Sequence, residues 1–86
     1  MVKISAKIIR NHKTIKTFTY LNVNEYDRNN FYDYLVEICR KLDISTPIVI
    51  PYFIDCYENF NSVSFHSDDF IDAVNFDNLL LENVDR

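Results

Sequence analysis

The chain contains no glycine in 86 residues. The Walker-A phosphate loop, the dinucleotide fingerprint and the nucleophile elbow each need backbone conformations or close approaches that only glycine supplies, so enzymes built on them are excluded. Turns must instead use asparagine, the next residue to tolerate positive φ, and Asn11, Asn22, Asn24, Asn59, Asn61 and Asn78 lie between apolar segments. Cysteine is scarce: Cys39 and Cys56 are far apart and read as reduced core thiols rather than a disulfide framework, which points to the cytoplasm. No apolar run approaches the roughly 20 residues of a membrane span, because the longest, Ile48 to Ile54, is interrupted by Pro51. Met1 to Arg10 alternates lysine with apolar residues and never forms the apolar block of a signal peptide. Residues 1–20 have no acid at all, and five basic groups, whereas residues 43–86 hold nine acids against Arg86. The two ends therefore have opposite electrostatic character.

What is present in quantity is aromatic: seven Phe and six Tyr, each able to bury roughly 150–250 Å² and so to enlarge the core of a single small domain spanning residues 1–86. Asn30 to Leu42 is the segment the rest is built around. Phe31, Tyr34, Leu35, Ile38 and Leu42 recur at the three- and four-residue spacings of one apolar helix stripe, with Asn30 as its side-chain cap and Asp33 in the first turn. Pro47 ends it, near Asp43, and Ile44 tucks back into the core.

Before this helix, Val2 to Arg10 alternates with period two and Thr14 to Leu21 is β-branched and aromatic, so the two predict a hairpin turning at Asn11 to Lys13. A two-residue loop would put Lys3, Lys7, Lys16, Phe18 and Tyr20 together on the outer face. A three-residue loop would send Phe18 and Tyr20 to the core and leave Lys3, Lys7, Thr17 and Thr19 outside. We prefer the latter, because burying two aromatics gains about 1.5–3 kcal/mol each. After the helix, Pro51 starts a second, shorter one over Tyr52 to Phe60, with Phe53, Cys56, Tyr57 and Phe60 at helical spacing; the alternative is a strand through Ile48 to Ile54. Val63 to His66 predicts a short strand, Ser67 a cap for a turn starting at Asp68, and Asn78 to Val84 a last strand with Leu79 and Leu81 inward. The expected fold is α+β: an antiparallel sheet of about four strands in ββα(α)ββ order, with the main helix on one face.

Four readings of function follow from side-chain chemistry. Cys56, His66 and Asp68 or Asp69 form a candidate thiol, base and orienter, but no glycine loop supplies an oxyanion site, and Cys56 reads better as a small core hydrophobe. His66, Asp68, Asp69 and Asp72 have metal-ligand chemistry without a recognised spacing, so no metal and no cofactor is expected. Lys3, Lys7, Lys13 and Lys16 suggest nucleic-acid binding by the hairpin, against which the net charge of −4 weighs. The preferred reading is a non-catalytic protein-binding module that meets a basic partner, such as the groove of a nucleic-acid enzyme, through Asp55, Glu58, Asp68, Asp69, Asp72 and Asp77.

The run Pro47-Ile-Val-Ile-Pro51, Phe60 and FHSDDFIDAVNFDNLLLE from Phe65 to Glu82 resembles a family of short proteins of low-GC Gram-positive bacteria and their phages. Those proteins share a basic strand pair, a helix ending in C-x-x-L-D like Cys39 to Asp43, and a tail of the form F-x-x-D-D-F-I-[ED]-x-V-x-F-D-x-L. This sequence departs from them at Val49, often Trp there, and at Asn61, often Gly. The resemblance implies the same ββα…ββ order and an origin on a mobile element, and it brings no assigned activity.

Overall fold

The computed structural model describes residues 1–85. Strands β1 (Val2–Arg10) and β2 (Lys13–Asn22) lead to helix α1 (Phe31–Leu42), then helix α2 (Pro51–Phe60), strand β3 (Ser62–His66) and strand β4 (Asn78–Asn83). The four strands form one antiparallel sheet in the order β2-β1-β4-β3. The expected α+β fold is thus the one found. Short 3₁₀ turns at Arg28–Asn30 and Ser67–Asp69 complete the regular structure.

Alternation along the strands puts Ile4, Ala6, Ile8, Val63, Phe65, Leu79 and Leu81 on one face, all buried, and both helices cover it. The predicted stripe of α1, Phe31, Tyr34, Leu35, Ile38 and Leu42, is buried there with Cys39. On the other side of the core, Phe53 stacks on Phe65 with ring centroids 4.7 Å apart, which anchors α2 over β3. Tyr57 meets Phe31 at 5.4 Å and joins the two helices. Pro51 at the first helical position makes residues 51–60 a helix rather than the alternative strand, since its fixed φ suits N1 and its missing N–H leaves no ladder bond.

The hairpin reaches the predicted facing by a different route. Its loop is two residues, Asn11 and His12, both at positive φ (52° and 64°), not the three expected. A bulge beside Ile8 and Ile9 then inserts one extra residue in β2, because Ile8 pairs with Lys16 while Ile9 pairs with Thr14. The extra residue restores the parity, so Ala6 faces Phe18 and Ile4 faces Tyr20, and both aromatics pack half-buried against the core. The same parity turns Lys16 toward the helices, where its Nζ donates to the Leu42 carbonyl at 3.0 Å and caps the negative end of α1.

Four local expectations are corrected. Asn30 makes no side-chain cap; Asp27 accepts from the Asn29 N–H at 2.9 Å and opens a 3₁₀ turn that runs into α1. Phe60, grouped by helical spacing with Phe53, Cys56 and Tyr57, is 72 % exposed, since the helix ends there. Ser67 lies inside its turn, and the capping carboxylate is Asp69, which accepts from the His66 N–H at 2.8 Å. Strand β4 stops at Asn83 rather than Val84, although the Val84 N–H still reaches the Lys3 carbonyl at 3.0 Å.

Candidate functional site

The acids proposed from sequence separate into groups with different neighbours. Asp55 and Glu58 point from α2 toward the 23–30 loop, where Arg28 holds both, at 2.7 and 2.6 Å. Glu58 also accepts from the Tyr26 hydroxyl at 2.8 Å. Burial, then the Glu58 contact, pushes the Tyr26 phenol up, and the two carboxylates, Asp55 first, raise Arg28. This pair fastens the loop to α2. Asp69 is used by the His66 N–H, and Asp77 accepts from the Asn11 N–H at 2.8 Å, tying the β1–β2 turn to the start of β4. Asp68 and Asp72 are exposed, and among the described residues neither carboxylate has a partner.

A further acid, not singled out from sequence, belongs with them. Asp43 ends α1 in the left-handed conformation (φ 59°), its N–H bonding to the Arg40 carbonyl while Ile44 N–H bonds to that of Cys39. Glycine usually takes this position, so in a glycine-free chain an aspartate near Pro47 is the available signal. Beside this turn lies a cleft of about 590 Å³ between residues 43–45 and the 72–76 loop, lined by Asp43, Ser45, Asp72, Val74 and Phe76 among others. Ser45 Oγ is itself buried, with no hydrogen-bond partner among the described residues. Arg10 stands nearby, its Nη1 3.5 Å from the Asn75 carbonyl.

The alternative sites are dispersed. His66 is exposed, and its Nδ1 faces Asn78 Nδ2 at 3.0 Å rather than a thiol or carboxylate. Cys56 sits in the flank of α2 beside Tyr52, whose phenol is pushed up by the contact with that thiol. Among the described residues no three His, Cys, Asp or Glu side chains gather as a metal-binding group. The basic hairpin is largely engaged: Lys7 pairs with Glu82 at 3.5 Å, Lys16 caps α1 and Arg10 reaches the 72–76 loop. No helix among the described residues is long and apolar enough to cross a membrane.

Comparison of the chain with protein-family models, curated proteins and solved structures finds no match. Function must be argued from the site alone. The chemically distinctive place is the cleft: Asp43 on one bounding segment and Asp72 on the other, with Asp68 carried on the preceding turn.

Proposed function

We propose that the chain is a non-catalytic protein-binding module which engages a basic partner through the acids at the α1 C-terminal end of the sheet. Of the six acids singled out in the sequence, Asp68 and Asp72 remain available for an external contact, and Asp43 joins them. The observation that carries the reading is the cleft itself. Asp43 and Asp72 both line it, and no cationic side chain is among its lining residues. A Lys or Arg head has donors only, and a concave lining whose charged groups are all carboxylates is the chemistry it pairs with. Occupation of the positively charged groove of a nucleic-acid enzyme is one form such an encounter takes, since an acidic surface is steered there at long range. The two free cysteines support a reducing compartment, hence the cytoplasm, as its setting.

Nucleic-acid binding by the hairpin is the weaker reading. Three of its five basic groups are drawn to internal acceptors, and Phe18 and Tyr20 face the core, away from any base they might stack on.

Selection from a library of displayed random peptides tests the proposal whatever the natural partner is. Wild-type protein should enrich sequences with Lys or Arg beside apolar residues, and a variant carrying Asp43→Asn, Asp68→Asn and Asp72→Asn should lose them. Peptides without basic enrichment, or equal capture by the variant, would sink the reading.

A further inference from the structure

We infer that the free edge of β3 and the adjoining flank of α2 form a two-fold interface with a second copy of this chain. Asn83 N–H donates to the Asn61 carbonyl and Ser67 N–H to that of Asp77, at 2.8 and 3.0 Å. Antiparallel ladders alternate, so Val63 and Phe65 also bond to β4, while the N–H and C=O of Ser62 and Ser64 point to the open side and His66 turns into the following 3₁₀ turn. Asp69 occupies the His66 N–H. The backbone groups of Ser62 and Ser64 on that side have no bond within the described residues.

Protein edges are normally guarded by charge, proline or a bulge. The opposite edge, β2, has a bulge at Ile15 and the inward-turned Lys16. On β3 the Asp69 carboxylate guards the His66 end, while Ser62 to Phe65 carry no charge, proline or bulge. Beside it runs a groove of about 370 Å³ lined by Tyr52, Phe53, Cys56, Phe60, Ser62, Val63, Ser64 and Leu80, without one charged residue. Tyr52 and Phe60 are 64 % and 72 % exposed.

The occupant is set by symmetry and charge. Tyr52, Cys56 and Phe60 are spaced at i, i+4 and i+8, so the stripe is symmetric about Cys56; the edge is symmetric about Ser64, and both residues line the same groove. One two-fold axis therefore satisfies strand and helix at once. Ser64 pairs with its own copy through two N–H···O=C bonds, and Tyr52 meets Phe60 of the second copy on either side of the two Cys56 residues. An isologous contact needs such self-complementarity. It also brings together two chains of net charge −4 along a groove whose lining carries no charge, with the Asp69 carboxylate at the far, His66 end of each strand. The aromatics, at roughly 150–250 Å² each when fully covered, with the strand edge and Cys56, bring the contact to about 1,200 Å² in total, the lower end of specific interfaces. A reversible dimer in the micromolar range is the expectation. The acidic cleft is not part of this face, so the two proposals fail independently.

Sedimentation equilibrium of the full chain tests it directly. Wild type should pass from monomer to dimer with concentration. Ser64→Pro should remove the dimer with the fold kept, because that N–H points away from β4 and proline is tolerated at such edge positions. Phe60→Glu, at an exposed site, should do the same and guards against loss of folding in the first variant. In a Cys39→Ala background a short bismaleimide should join two chains through Cys56 by two thioether bonds, and Cys56→Ser should abolish the product. A chain still monomeric at about 1 mM, or a dimer untouched by both Ser64→Pro and Phe60→Glu, would overturn the inference.

Discussion

At the scale of single residues, the chain solves without glycine what others solve with it. Asn11, His12, Asp43 and Asn61 take the left-handed conformation at the hairpin turn and at both helix ends. Two of these are asparagines expected at turns from the sequence; His12 and Asp43 were not, because neither type is diagnostic of positive φ away from its context. Asn61, at φ 58°, ends α2 in the conformation that glycine usually supplies. Buried titratable groups give this scale its prediction. Burial pushes the Cys39 thiol up from 9.0 to about 12, opposed by a hydrogen bond with Thr46, and burial likewise carries Tyr57 from 10.0 to about 12. Folded-state values above the unfolded ones mean that the unfolded chain loses protons first, so the associated stability is intact below about pH 8.5 and falls as pH rises toward 12. Denaturation midpoints measured from pH 7 to 11 should be flat at first and then decline. Cys39→Ala should make the decline between about pH 9 and 10 shallower, leaving the tyrosines to act above it; an unchanged profile would show that the thiol is not held protonated by the fold.

At the scale of elements, periodicity was a good guide wherever one face is buried and a poor one at the ends. Helix α1 could be read off directly, since five apolar residues on one stripe have a single solution. The facing of the hairpin was legible from the gain on burying Phe18 and Tyr20, but the bulge that achieves it was not, because a two-residue turn plus one inserted residue and a three-residue turn have the same parity. Phe60 misled for a related reason: helical spacing identifies a stripe but not where the neighbouring sheet stops. The buried stripe of α1 fixes the matching prediction. Leu35 and Ile38 are fully enclosed, so Leu35→Ala and Ile38→Ala should each cost about 2–5 kcal/mol by lost transfer energy and the cavity left behind. Chemical denaturation would read this out, and losses below about 0.5 kcal/mol at both positions would mean that the core is elsewhere.

At the scale of the whole molecule, charge totals concealed the arrangement that matters. The excess of acids in residues 43–86 was visible, yet composition could not tell that Arg28, some thirty residues before Glu58, folds back to hold two of them, or that a turn amide consumes Asp77. The cleft was illegible for the same reason, since Asp43, Ser45 and Asp72 meet only once the sheet is closed. Acids of equal formal charge should therefore behave differently on removal. Asp69 and Asp77 each accept a backbone N–H that has no other partner, and Asp69→Ala or Asp77→Ala should destabilise the fold by about 0.5–1.5 kcal/mol through the lost charge-assisted bond. Asp68 and Asp72 make no such bond, so Asp68→Asn and Asp72→Asn should leave stability within about 0.5 kcal/mol, or raise it slightly by relieving repulsion in an acidic region. Salt separates the two classes further: screening acts over about 8–10 Å on exposed charges, so added salt should narrow any gain from neutralising Asp68 and Asp72 while leaving most of the loss at Asp69 and Asp77, which depends on contact at 2.8 Å. Thermal unfolding of the four variants at low and high ionic strength decides the matter. If all four shift alike, the acids act as an undifferentiated field, and the case for Asp68 and Asp72 as surface reserved for a partner falls with it.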